Sequence, residues 1–357
     1  MKFTTHYSLF TTHNSLFTTH YSPLTNMPKF LIIRFSSIGD IVLTTPVIRC
    51  LKQQLSGAEV HFLTKKPFAS ILAPNPYIDR LHLLEDDLQE TIRLLKAEKY
   101  DFIIDLHHNL RTLRVKMGLG VKSFSFNKLN TQKWLLTALK VNRLPDIHIV
   151  DRYLATLESF GVQNDRKGLD FFITEKDRVN PECLPETHRK AFIGLVIGAT
   201  FATKQLPFEK LNELCRLINF PVVLLGGPTD SEIGEKLALT HFNTYNACGK
   251  YSLAQSADLI RQSVMVITHD TGLMHIAAAF QKTVISIWGN TVPEFGMGPY
   301  FGIKTMPESL VFEVKNLSCR PCSKIGYNKC PKGHFNCMQL QDIPLIADMV
   351  NSHLSYQ

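Results

Sequence analysis

Two successive doubly wound α/β domains are the architecture predicted for this chain, and three observations predict it. At 357 residues the chain exceeds what one hydrophobic core usually supports. From Lys29 onward, short apolar runs alternate with helical periodicity, the pattern of a parallel sheet with helices on both faces. The alternation starts afresh at Phe192, after a charged segment containing Pro181 and Pro185 that marks the boundary. The expected organisation is an extension over 1–26, a first domain over 27–180, a second over 181–340 and a C-terminal helix over 341–357.

The extension carries a seven-residue repeat: Phe3 to Leu9 recurs as Phe10 to Leu16 and again as Phe17 to Pro23. Beyond Lys2 it has no charge and no long apolar segment, so it lacks the apolar core of a secretory signal, and disorder is the expectation. Met27, just before the first strand, is an alternative start of translation. Phe30 to Phe35 reads as a buried strand, followed by a helix from about Pro46 to Leu55. Further strands are Val60 to Leu63, Arg80 to Leu84 and Tyr100 to Asp105, the last preceded by an amphipathic helix over Asp87 to Lys99. A helix from Asp151 to Phe160 and a loose segment near Arg166 to Pro185 close the first half. In the second half, Phe192 to Ile197 is a strand, Pro207 to Ile218 a helix opening on proline, and Pro221 to Leu225 a strand. Helices over Asp230 to Leu239 and Leu253 to Arg261 lead to the strand at Val264. In such folds ligands bind in the crevice beyond the carboxyl ends of the strands.

The composition, 45% apolar and 20% charged, is that of a globular protein, and no apolar run approaches the ~20 residues that span a bilayer. The formal charge of +8 is unevenly placed. Eight basic residues and no acidic one lie between Leu106 and Pro145. Either this is a solvated basic face or it meets an anionic partner. Trp134, Leu135, Leu136 and Leu139 at helical spacing among these charges suit a membrane surface better than nucleic acid, for which no motif is present.

The chemistry is expected at the strand-to-helix turns. Thr268-His269-Asp270-Thr271-Gly272 follows an apolar run and opens a helix that continues to Ala279, and Thr283 to Ile287 reads as the strand after it. Free backbone N–H groups and the positive end of the helix dipole make that turn a phosphate site, and a nucleotide diphosphate is the expected ligand. Leu273 and His275 lie in the first turn; His275 reads either as a buried core histidine or as a ligand contact. Ahead of the next helix, Thr200 and Thr203 offer hydroxyls and Lys204 an ammonium that could hold a departing diphosphate, although a surface lysine is the plain alternative. Gly226-Gly227-Pro228 would let the chain approach a ligand, or simply turn. In the first domain, Ser36-Ser37-Ile38-Gly39-Asp40 follows the first strand. Asp40 there could take a proton from an attacking hydroxyl, or could merely cap a helix.

Phe35-Ser36-Ser37-Ile38-Gly39-Asp40-Ile41-Val42-Leu43-Thr44-Thr45-Pro46 together with Asp270-Thr271-Gly272-Leu273-Met274-His275-Ile276-Ala277-Ala278-Ala279 resembles glycosyltransferase family 9, the ADP-heptose lipopolysaccharide heptosyltransferases. The resemblance implies a GT-B fold and a metal-independent, inverting transfer of heptose from ADP-heptose to a lipid-linked inner-core acceptor. It further implies a cytoplasmic protein, peripheral on the inner face of the inner membrane of a Gram-negative bacterium, with no cofactor. On that template Asp40 matches the general base, Lys204 the diphosphate contact, and Asp270, Thr271, Gly272, Leu273 and His275 the donor-binding turn. Ser37, Gly39, Thr200 and Gly226 are expected beside the donor, and His108, Asn109 and Arg111 at the acceptor or donor sugar. The family often carries Lys-x-Trp-Pro where this chain has Lys204-Gln205-Leu206-Pro207, which removes an aromatic wall.

The chain has no Asp-x-Asp, so fixed protein charges are expected to do what a metal would otherwise do as the nucleotide leaves. A nicotinamide dehydrogenase lacks its signature: Gly118-x-Gly120 is followed by Ser123, and Gly296-x-Gly298 by Phe301. A P-loop fails likewise at Gly249-Lys250-Tyr251. A glycosyltransferase using another nucleotide sugar, and a non-catalytic membrane-surface binder with a degenerate donor site, are the alternatives. Cys319, Cys322, Cys330 and Cys337, with His334 among them, read equally as a structural zinc site or as free thiols, and in either case outside catalysis.

Overall fold

The computed structural model describes residues 27–302 and 309–355; the repeat-bearing extension expected over 1–26 lies outside the described residues. The first half runs β1 (Lys29–Ile33), α1 (Ile38–Val42), α2 (Thr45–Gln54), β2 (Glu59–Lys65), α3 (Ala69–Leu72), β3 (Arg80–Leu84), α4 (Leu88–Ala97), β4 (Phe102–Asp105), α5 (Leu110–Leu119) and β5 (Lys122–Ser125). There follow α6 (Asn130–Trp134), prolonged by a π-helical turn over Leu135–Leu139, and α7 (Ile149–Leu154). The second half runs β6 (Ile193–Val196), α8 (Phe208–Leu217), β7 (Val222–Leu225), α9 (Ser231–Thr240), β8 (Thr244–Asn246), α10 (Leu253–Gln262), β9 (Met265–His269), α11 (Gly272–Ala279), β10 (Thr283–Trp288) and β11 (Ser309–Glu313). The short α12 (Asn336–Gln339) and α13 (Ile343–Ser355) complete it.

Both sheets are parallel throughout their pairings. The first has the order β3-β2-β1-β4-β5 and the second β11-β10-β9-β6-β7-β8. In each, the order reverses beside its first strand, between β1 and β4 and between β6 and β9. The loops leaving those strands therefore diverge to opposite faces and open a crevice. The strands are apolar because helices cover both faces: all four residues of β6 and all four of β7 are buried. Helix starts are set locally. Asp87 accepts from the Gln89 amide at the head of α4, and Ser252 and Gln255 cap α10 reciprocally.

The two sheets are packed as one body. A single apolar cluster joins Ile41, Val42 and Val47 of the first half to Met274, Ile276 and Ala277 of the second. The segment between the halves is tied to α2 through Arg49, whose guanidinium pairs with Asp165 and Asp170 and donates to Gly168 O. The loop after β10 grips α7: Ile149 N donates to Gly296 O at 2.8 Å and Arg152 to Phe295 O at 3.2 Å. On its outer face the second sheet is closed by α13, whose Ile343, Ile346 and Val350 pack with Leu211 and Leu214 of α8. Two parallel Rossmann-like sheets facing one cleft make the GT-B arrangement.

Candidate functional site

Between the sheets lies a cleft of about 450 Å³, and both halves contribute to its walls. From the first come Arg34 and Ser37, in the turn after β1, and Gly39 and Asp40, in the first turn of α1; from the second come Thr200, Lys204, Asp270, Thr271, Gly272 and His275. The two groups meet because α1 and α11 approach head to head on glycine. A Cβ on Gly39 would stand 2.6 Å from His275 Cδ2, and one on Gly272 would stand 2.6 Å from Ile38 Cγ2. Only residues without a side chain let these backbones come so close.

Asp40 is the third residue of α1, reached by a capping box. Its Oδ2 accepts from the Ser37 hydroxyl at 2.8 Å and the Ser37 amide at 3.2 Å. Its Oδ1 lies 2.8 Å from Arg34 Nη2. Arg34 is held in turn by Ser36 O, Leu106 O and the Tyr153 hydroxyl at 2.7, 2.6 and 3.1 Å. Burial pushes the Asp40 carboxyl up, but the Arg34 guanidinium and the two Ser37 hydrogen bonds outweigh it and hold the group below the ordinary carboxylate value. Asp40 is therefore ionised at neutral pH, and it both caps its helix and faces the cleft.

On the opposite wall Lys204 Nζ lies 2.6 Å from Asp270 Oδ2, and Thr291 Oγ1 donates to the same oxygen at 2.8 Å. Asp270 thus anchors Lys204 at the cleft. Thr271 is the N-cap of α11, and with Gly272 it presents the unpaired amides of the first turn. His275, 2% exposed, has its pKa pushed down to about 4 by burial, so the ring is neutral at pH 7, and its Nδ1 has no hydrogen-bond partner among the described residues.

Five expected site residues lie outside the lining. Gly226 is hemmed in by the protein itself: a Cβ there would stand 2.8 Å from Asp230 Oδ2 and 3.0 Å from Cys248 Sγ. Leu273 packs against the shared apolar cluster. Asn109 is spent on capping α5, accepting from the Thr112 amide at 2.9 Å. His108 sits at φ 52 with Nδ1 3.1 Å from Phe126 O, because Asp105 Oδ1 accepts the amides of both His107 and His108 and tightens that turn. Arg111 lies over the Phe35 ring, 5.9 Å from its centroid. The residue that reaches the cleft from this turn is His107, one position earlier than expected.

Arg34 and Lys324 also line the cleft, and no local pattern in the sequence marks either of them. Lys128 and Lys133 belonged to the basic segment but had no assigned place; both line the cleft. Burial and the nearby Arg152 push Lys133 down to about 8. Lys324 and Ile325 arrive from the cysteine-bearing loop, which therefore reaches the site although its thiols do not line it. Those four thiols are free, Cys319 Sγ is 3.9 Å from His334 Nε2, and among the described residues no three of these side chains bring ligand atoms within 4.8 Å of one another. Leu206, where an aromatic wall was missing, is buried in the second core, while Trp288 lines the cleft.

A family model described as glycosyltransferase family 9 (heptosyltransferase) matches residues 89–325. The chain is 27% identical over 289 residues to a lipopolysaccharide heptosyltransferase 1 of Campylobacter coli, covering 74% of this chain and 84% of that protein. It is 23% identical to the lipopolysaccharide core heptosyltransferase OpsX of Haemophilus influenzae, covering 91% of this chain and 97% of that one. Among solved structures it resembles a glycosyl transferase family 9 protein from Veillonella parvula with TM-score 0.74 at 21% identity, covering 94% of this chain and 99% of that one. It also resembles E. coli heptosyltransferase WaaC with ADP, with TM-score 0.62 at 19% identity, covering 92% and 99%.

Proposed function

The chain belongs to glycosyltransferase family 9 and is a glycosyltransferase, and from that premise we propose that it transfers heptose from ADP-heptose to a lipopolysaccharide inner-core acceptor with inversion. Residues 27–180 would receive the acceptor and residues 181–340 hold the donor. The observation that carries the reading is that Asp40, from the first sheet, and Lys204, from the second, open onto one cleft. In the reaction the acceptor hydroxyl gives its proton to Asp40 as its oxygen bonds to the anomeric carbon. The anomeric bond to the diphosphate breaks on the opposite side, and ADP departs. Ionisation of Asp40 at neutral pH leaves it able to accept that proton, and Arg34 fixes the carboxylate in place. The negative charge that develops on the diphosphate is met by Lys204 and the amides at the start of α11. Ser37, Gly39, Thr200, Thr271, Gly272 and His275 form the walls against which the donor would lie. His107, Lys128 and Lys133 stand on the first-sheet side and suit an anionic acceptor.

A lipid-linked acceptor would bring the protein to the inner face of the inner membrane as a peripheral partner. Among the described residues no helix is long and apolar enough to cross a membrane.

ADP release from ADP-heptose in the presence of the lipid-linked acceptor tests the proposal. Asp40→Asn is expected to lower kcat by about 10²- to 10⁴-fold, while thermal stabilisation by ADP-heptose is retained. Unchanged turnover in Asp40→Asn would remove the base assignment. Stabilisation and turnover with a UDP- or GDP-sugar but not with ADP-heptose would remove the donor assignment.

A further inference from the structure

The fold leaves a row of apolar side chains uncovered on α5. Leu110, Leu113 and Met117 are 79%, 45% and 69% exposed. Their spacing of three and four residues places them in one line along the helix, while Thr112 and Val115 turn inward. Single exposed leucines are ordinary on a protein surface. Three in a row on one helix, with Arg111 and Arg114 beside them and no acidic residue on the helix, have the pattern of an interfacial helix. Arg114 makes no ion pair among the described residues. The stretch Trp134 to Leu139, which the helical spacing singled out for this role, is partly turned inward. Trp134 and Leu139 are exposed, but Leu136 is buried with Val292 and Phe295 of the other half.

The position of α5 gives the row a use. The helix begins three residues after His107, which lines the cleft, so a surface that α5 rests on would lie on the first-sheet side of the site. Ten residues make it about 15 Å long, enough to lie along a bilayer surface. The charges beside the row on α5 are Arg111 and Arg114, both basic, which favours an anionic surface over a neutral one or a second copy of this cationic face.

We propose that the Leu110–Leu113–Met117 face of α5 docks on an anionic lipid bilayer, its apolar side chains entering the headgroup boundary and the arginines meeting lipid phosphates. The use of this contact rests on the lipid-linked acceptor reading; the contact itself does not.

Sedimentation with vesicles tests it on the full chain. The protein is expected to bind phosphatidylcholine vesicles containing phosphatidylglycerol and to bind pure phosphatidylcholine more weakly, with added salt loosening the former. Changing Leu110, Leu113 and Met117 together to serine is expected to weaken binding by about tenfold or more, and Arg114→Glu by about fivefold or more. Both variants should keep the wild-type unfolding midpoint, since the side chains are exposed. Binding unchanged in the variants, or no binding by the wild type, overturns the proposal. So does a wild-type dimer that the triple variant dissociates without any change in vesicle binding. Transfer to a water-soluble acceptor fragment separates this from the catalytic reading. Variants that keep that transfer but lose transfer on vesicles support the docking face. A wild type that transfers no sugar yet binds vesicles through the row leaves the face standing and removes the reaction.

Discussion

Lys204 enters the cleft already paired, its ammonium 2.6 Å from an Asp270 oxygen that Thr291 also holds. The pair fixes the cation where a diphosphate would leave, at the expense of part of its field. Removing only the lysine leaves a carboxylate facing the departing anion, so Lys204→Ala is expected to lower kcat/KM by about 10²- to 10³-fold. The double variant Lys204→Ala, Asp270→Asn should lose less than the two single effects combined, a coupling that a double-mutant cycle measures. A strictly additive result would show that Asp270 acts independently. The residues brought together at the cleft were legible where meaning lies in a local pattern. Asp40 sits three residues after Ser37, and Thr271-Gly272 opens a helix. Arg34 was not legible, because its place depends on Leu106 O and the Tyr153 hydroxyl, 72 and 119 residues away. The turn at His107 and His108 was misread by one position, since the direction of each ring depends on a backbone held by Asp105.

At the scale of elements, α1 and α11 meet with no room for a methyl group. Gly272→Ala would set a Cβ 2.6 Å from Ile38 Cγ2 and 3.1 Å from the Gly39 amide nitrogen. The expected cost is about 1–3 kcal/mol of stability, read by denaturant unfolding, with a fall in turnover because the walls carrying Asp40 and Thr271 are pushed apart. Full turnover in a destabilised Gly272→Ala protein would show that the approach serves packing alone. Apolar runs announced the strands buried on both faces, β1, β2, β4, β6, β7, β9 and β10. The three that escaped notice are β5, β8 and β11, each at or near an edge. Lys122-Ser-Phe-Ser shows why: three of its four residues are exposed, so no apolar run marks it. α5 was hidden for a related reason, since its outward face is as apolar as its inward one and the usual two-sided periodicity is blurred.

Across the whole molecule, neutral histidines are built into the packing. His269 and His275, each 2% exposed or less, have pKa values pushed by burial from the ordinary 6.5 down to about 4. The unfolded chain binds protons first on acidification, so the stability these rings contribute is complete above about pH 6.5 and lost by about pH 4, about 3 kcal/mol for each. Unfolding free energy is therefore expected to fall steeply across that interval, and a flat profile there would show that the rings take up protons as readily in the fold as in the unfolded chain. His275 also lies against Gly39, where the two halves touch through α1 and α11. The ring is therefore a spacer between the two walls: its bulk sets how far the carboxylate of one stands from the helix start of the other, and packing this close transmits any change of its size to both.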